Sequence, residues 1–91
     1  MQYWRPFTAE QRRDAARVYE SFRSHVRMLR KTHPPLNHDQ RRALRQYEDH
    51  VHAVGSELLK VNALVNVSEL SRLIRLCRSA ATEYFRMTYF E

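Results

Sequence analysis

The middle of the chain carries an unbroken stripe of apolar residues whose spacing alternates between three and four. The stripe consists of Leu44, Tyr47, Val51, Val54, Leu58 and Val61. Residues spaced this way share one face of an α-helix, and the alternation is typical of helices that pack lengthwise against other helices. Asn37, with Gln40 three residues later, is a suitable N-cap. The pattern therefore predicts a helix over about 38–61.

A second helix is predicted before this stripe. Thr8 and Gln11 form a capping box at its start, and Pro34 and Pro35 prevent it from continuing. Its apolar stripe consists of Ala15, Tyr19, Phe22, Val26 and Leu29. These signals predict a helix over about 9–31.

A third helix is predicted over about 67–89, after an N-cap at Asn66 or Ser68. Its apolar positions are Val67, Leu70, Leu73, Ile74, Cys77, Ala81, Tyr84 and Met87. The chain has one glycine in 91 residues, which disfavours a sheet with frequent tight turns. We therefore expect an all-α fold, an antiparallel three-helix bundle, with residues 1–91 forming a single helical domain.

The positive charge is concentrated at the start of the chain. The formal net charge is +6, and residues 1–33 hold eight basic and three acidic side chains. Arg23, Arg27 and Arg30 lie on one face of the first helix, beside its apolar stripe, and we call them the arginine ridge. The other candidate partner-binding residues of this helix are Arg12, Arg13, Arg17 and Lys31. A solvated face explains such a run, but its concentration on one helix favours docking to an acidic partner.

The motifs of enzymes and metal proteins are missing from the sequence. It has no glycine-rich phosphate loop, no HExxH pair and no local serine, histidine and aspartate set. The spacing of the five histidines does not suggest a chelating site. Cys77 falls on an apolar stripe, as expected of a small buried hydrophobe. The sequence predicts no catalytic residue, no metal ligand, no enzymatic activity and no transmembrane segment.

The first helix resembles a known family. Residues 17–36 read RVYESFRSHVRMLRKTHPPL, and Ser21-Phe22-Arg23 corresponds to the Leu-Tyr-Arg motif of the LYR-motif family. The succinate dehydrogenase assembly factors of that family are similar in carrying a Pro-Pro after this helix. Here Ser21 replaces the leucine and Phe22 the tyrosine, so only the arginine is retained, and the resemblance covers about the first 36 residues.

The resemblance implies a non-catalytic subunit or assembly factor of a mitochondrial respiratory complex. Such proteins bind the acidic acyl carrier protein, whose acylated phosphopantetheine arm enters the bundle, and they have no cofactor of their own. Arg23 would pair with carboxylates or the phosphate, and Phe22 would line the site. Because of their positions on the same helix, we expect Arg27, Arg30 and Lys31 to assist Arg23 in binding the partner. The implied location is the mitochondrion; without the resemblance, the cytoplasm is expected.

Two other interpretations remain open from the sequence. A nucleic-acid-binding module, such as a small subunit of a ribonucleoprotein or CRISPR effector complex or a phage protein, would also use a basic helix on phosphates. A structural subunit would instead be held by the aromatic ends of the chain. The candidate interface anchors are Tyr3, Trp4, Phe7, Phe85, Tyr89 and Phe90. The first three are expected to lie outside the ordered core, whereas the C-terminal three either fold over the bundle or dock on a partner.

Overall fold

The computed structural model describes residues 7–89 and contains three long helices. Helix α1 spans Ala9–Thr32, α2 spans His38–Leu58 and α3 spans Val67–Tyr89. A single 3₁₀ turn, Asn62–Leu64, lies between α2 and α3. The predicted all-α, three-helix bundle is confirmed, and the bounds of α1 and α3 agree with the sequence to within one residue.

Each helix starts at a polar residue that satisfies a free backbone amide. The Thr8 hydroxyl accepts a hydrogen bond from the Gln11 amide at 3.0 Å, and the Gln11 side chain accepts one from the Thr8 amide at 2.9 Å. The Asn37 side chain accepts from the Gln40 amide at 2.8 Å, and that of Asn66 from the Glu69 amide at 2.9 Å. The capping residues expected at these three positions are therefore confirmed.

The helices alternate in direction, and α2 lies between the other two. α2 packs against both neighbours, and most extensively against α3. At one end, the Tyr84 hydroxyl donates to the His33 carbonyl at 2.6 Å, and Gln40 donates to the Met87 carbonyl at 3.1 Å. Five side chains at the centre of the core are almost fully buried: Tyr47, Tyr84, Leu44, Val54 and Cys77.

The end of α2 differs from the prediction. The apolar spacing continues to Val61, yet the helix ends at Leu58 and Val61 is 65% exposed. The Leu59 amide still makes the helical bond to the Gly55 carbonyl, but the Lys60 amide bonds to the Glu57 carbonyl in a tighter turn, and the Arg12 side chain bonds to the Leu58 carbonyl. The helical pattern of hydrogen bonds therefore stops after Leu58. The prediction of a helix to residue 61 was wrong by three residues.

Phe7 is another correction. It was expected outside the core as an interface anchor, but it is 5% exposed and belongs to the core cluster. Phe7 immediately precedes the N-cap Thr8, and the guanidinium of Arg12, one turn into the helix, lies 5.3 Å from the centre of its ring. An apolar residue at this position commonly packs against the first turn, which accounts for its burial. Tyr3, Trp4 and Phe90 lie outside the described residues.

Among the described residues, no helix is both long enough and apolar enough to cross a membrane.

Candidate docking groove between α1 and α2

A groove of about 640 Å³ separates one side of α1 from α2. Its charged walls are formed by the arginine ridge on α1 and by Arg45, Glu48 and Asp49 on α2, and Val26 and Val51 also line it. We call this the α1–α2 groove. The two valines are buried, at 8% and 5% exposure, so the groove has an apolar lining beneath charged walls.

Two of the ridge arginines already have acidic neighbours. Arg30 pairs with Glu48 across the groove, and Arg23 pairs with Glu20 on its own helix at 3.0 Å. The Arg23 guanidinium also lies over the Tyr19 ring, 5.6 Å from its centre. These pairs are solvent-exposed, with about half of each arginine side chain accessible, and exposed pairs exchange readily for other anions.

Arg27 and Arg45 provide the uncompensated charge of the groove. Both are exposed, and neither forms an ion pair with any side chain in residues 7–89. One lies on each wall, so the groove presents free guanidinium groups from both helices. A guanidinium can bind a carboxylate or a phosphate with two parallel hydrogen bonds. The groove can therefore hold anionic groups without first breaking an internal contact.

The tripeptide that carries the family resemblance is divided between core and surface. Phe22 is half-buried and meets the buried Tyr47 edge to face, with ring centres 6.1 Å apart. Ser21 and Arg23 are exposed. Phe22 thus packs on the core beneath the surface, while Arg23 lies at the groove itself.

The remaining basic residues of α1 are not in the groove, and one of them is committed to the fold. Arg13, Arg17 and Lys31 are exposed and form no ion pair within residues 7–89. Arg12, in contrast, donates hydrogen bonds to the carbonyls of Leu58 and Lys60 and to the Asn62 side chain. The structure therefore corrects the expectation for Arg12, whose side chain is occupied by the α2–α3 connection.

Sequence reasoning missed the α2 side of the groove. Arg45, Glu48, Asp49 and His52 line it, and none of them is among the site residues predicted from the sequence. Their spacing of three and four residues, next to the apolar stripe, was the available signal. It is a weak signal, because any exposed helix face has polar residues at that spacing.

The aromatic end of α3 is a second exposed feature. Phe85 and Tyr89 are each about half exposed and stack with ring centres 4.3 Å apart. The Tyr89 hydroxyl lies 2.7 Å from His33 Nε2, which ties the end of α3 to the end of α1. Phe85 and Tyr89 therefore remain candidate interface anchors.

Two of the buried titratable groups in residues 7–89, Cys77 and Tyr47, have raised pKa values. Cys77 is fully buried, and burial raises the pKa of its thiol to about 11, so the thiolate required of a nucleophile is scarce at neutral pH. Burial likewise raises the pKa of Tyr47. Within residues 7–89, no group of three or more histidine, cysteine or acidic side chains is arranged to hold a metal ion.

The chain was also compared with known proteins. No protein-family model, no curated protein and no solved structure matches it.

Proposed function

We propose that this protein is a non-catalytic, basic helical subunit or assembly factor that docks an acidic protein through the exposed side of α1. The observation that carries the proposal is the α1–α2 groove, where four arginines surround the buried Val26 and Val51 and two of them, Arg27 and Arg45, form no ion pair with any side chain in residues 7–89. The excess of these arginines over Glu48 and Asp49 gives the groove a net positive charge, which attracts and orients a partner of the opposite sign.

The resemblance to the LYR-motif family supplies the more specific form of the proposal. In that form the partner is acyl carrier protein and the larger assembly is a mitochondrial respiratory complex. Arg23 is exposed at the groove, where a carboxylate or phosphate can reach it, and Phe22 packs behind it. The acylated phosphopantetheine arm would come with the partner.

The test is purification of the tagged protein from its native source at moderate salt, followed by mass spectrometry. An acidic carrier protein that is retained by the unaltered chain and lost from Arg23→Glu supports the proposal. Arg86→Glu is the matched control, because Arg86 is also exposed and pairs with an acid three residues earlier, but on α3. Loss of the partner from both variants, or from neither, would contradict a role for the groove.

A second function is favoured by one separate observation. Arg13, Arg17, Arg27 and Lys31 lie on the solvent face of α1 and have no ion pair within residues 7–89, so they form a track suited to a nucleic-acid backbone. Against it, the aromatic residues of α1, Tyr19 and Phe22, are half-buried and do not form an exposed platform on which bases could stack. Binding of a nucleic acid whose affinity falls steeply with salt, together with no acidic protein in the purification, would favour this second function.

A further inference from the structure

The α1–α2 groove continues beyond its basic half. A second hollow of about 340 Å³ shares Tyr19 and His52 with it and leads toward the end of α2. Its lining includes Ala16, Ser56 and Leu59. We call the two hollows together the extended groove; they meet at Tyr19 and His52, and their lining along α1 runs from Arg12 to Arg30. These residues are 18 positions apart, which corresponds to about 27 Å of helix, or five turns.

The walls of the extended groove have the spacing of helix-packing faces. On α1 they follow Ala16, Tyr19, Arg23 and Arg30, at steps of three, four and seven residues. On α2 and its C-cap they follow Arg45, Glu48, His52, Ser56 and Leu59, at steps of three or four. Two neighbouring helices with such faces leave a channel into which a third helix can pack its side chains. The shape therefore suits a helix better than a compact small molecule.

The two halves of the extended groove differ in chemistry. The half nearest the end of α1 carries the arginine ridge and Arg45. The other half is lined by small and apolar groups, including Ala16, Ser56, Leu58 and Leu59, and Leu59 is 87% exposed. An occupant that matches both halves is acidic along one half of its length and apolar along the other.

Polarity and charge also argue against two other occupants. A nucleic-acid backbone carries phosphates along its whole length, so it would leave the apolar half, where Leu59 is 87% exposed, without a matching surface. A second copy of this chain would bring a formal charge of +6 toward the arginine ridge, and like charges brought together in an interface are costly. Both occupants are therefore disfavoured relative to an acidic protein with an apolar segment.

We infer that the extended groove receives a single helix of a partner protein, with its acidic half against Arg23, Arg27, Arg30 and Arg45 and its apolar half against Ala16, Leu58 and Leu59. This inference rests on the proposed function, since it takes the partner to be an acidic protein. It adds that the bound segment is a helix, that this helix lies in the extended groove, and that its acidic half faces the arginine ridge.

Photo-crosslinking in the native complex tests this inference. p-Benzoylphenylalanine is placed singly at Asp49, in the basic half, at Ser56, in the apolar half, and at Ser71 on α3 as an off-groove control. All three positions are exposed, and circular dichroism checks that each variant is folded. Asp49 and Ser56 are seven residues apart on α2, about 10 Å along the helix. The expected result is cross-links from both to one partner segment, about seven residues apart, with the acidic end at Asp49.

Charge reversal provides a second readout in the same complex. Arg27→Glu should reduce the cross-link yield at Asp49 about tenfold, whereas Arg75→Glu, an equal change at an exposed arginine on α3, should alter it less than about twofold. Equal losses would overturn the inference. So would cross-links only from Ser71, cross-links to nucleic acid or to a second copy, or no cross-link from either groove position.

Failure of this inference can be told apart from failure of the proposed function. If an acidic protein still co-purifies and depends on Arg23, but cross-links only off the groove, the proposed function stands and the groove helix is excluded. If the groove cross-links to a helix without acidic residues, the proposed function fails as well.

Discussion

Tyr19 determines how closely α1 approaches α2. Its ring packs on Gly55, and a Cβ atom built at that glycine would lie 2.7 Å from the Tyr19 hydroxyl oxygen and 2.8 Å from two ring carbons. Real Cβ contacts do not reach such distances, so any side chain at residue 55 requires the ring to move. Gly55 lies inside a helix, where glycine is intrinsically unfavourable, and its lack of a side chain leaves room for this ring.

This contact predicts coupling between the two positions. In a Tyr19→Ala background, Gly55→Ala should stabilise the fold by about 1 kcal/mol through its higher helix propensity. In the unaltered chain, displacement of the tyrosine ring should cancel or reverse that gain. Urea unfolding of the four proteins of a double-mutant cycle measures the difference, expected at about 1 kcal/mol or more. Equal effects of Gly55→Ala in both backgrounds would show that the ring moves aside freely.

Cys77 should make the fold sensitive to alkaline pH. The thiol has an ordinary pKa of 9.0, and burial raises it to about 11 in the folded chain. Between these values the folded state holds a proton that the unfolded state has lost, so stability should fall as pH rises from 9 toward 11. Urea unfolding across this range should show a steeper decline for the unaltered chain than for Cys77→Ala.

Reaction with iodoacetamide is an independent check on the same residue. The folded chain should be alkylated at Cys77 much more slowly than the chain in denaturant, because the thiol is fully buried. Rapid alkylation of the folded protein, or identical pH slopes for the two proteins, would contradict this account of Cys77.

At the scale of whole elements, Arg12 links the start of α1 to the end of α2. Its guanidinium donates to two carbonyls and one side-chain amide oxygen in the α2–α3 connection and covers the ring of Phe7. The last carbonyls of a helix have no partner within it, and α2 ends without a glycine to turn the chain. Arg12, which lies on α1, therefore caps the C-terminal end of α2.

Removal of Arg12 should thus destabilise an entire junction. Arg12→Ala is expected to cost about 1–3 kcal/mol, the range for hydrogen bonds from a charged donor. Arg12→Lys should recover only part of the loss, because a single ammonium cannot reproduce the planar fork. Thermal and urea unfolding measure both. Arg13→Ala, which removes an exposed side chain with no ion pair to residues 7–89, should change stability by less than about 0.5 kcal/mol.

The helices were largely readable from the sequence because their signals are local. Thr8, Asn37 and Asn66 cap them through groups three residues away, and Pro34 and Pro35 end the first one. The end of α2 was not readable, since it depends on Arg12, 46 residues earlier in the chain. For the same reason the apolar spacing of Val61 was misleading, and Val65 is buried instead.

The candidate site was only half predictable. The arginine ridge can be predicted from the spacing of the arginines along α1 alone. The α2 side of the groove cannot be predicted in this way, because the sequence does not show which side of α2 faces α1. Phe7 is an exception, because it was misassigned although Arg12, in the first turn of its own helix, lies over its ring. The α2 side of the groove and Arg12 were missed or misassigned because their environments are built by a distant segment of the chain.

At the scale of the whole molecule, the two helix contacts of α2 are unequal. α3 packs closely on α2, whereas α1 contacts it less extensively and leaves the α1–α2 groove open on one side. The only ion pair between different helices in residues 7–89 spans this groove, from Arg30 to Glu48. The groove thus contains an acid that competes with any acidic partner for the arginine ridge.

Neutralising that acid should strengthen partner binding. Glu48→Gln frees Arg30 and raises the positive potential of the α1–α2 groove, so we expect affinity for the acidic partner to rise about two- to tenfold, mostly through faster association. The gain should shrink at high salt, where charges are screened. Glu83→Gln, which breaks an exposed pair on α3, is the matched control and should have no effect. Biolayer interferometry with the co-purified partner measures both; weaker binding by Glu48→Gln would instead show that Glu48 holds Arg30 in its binding position.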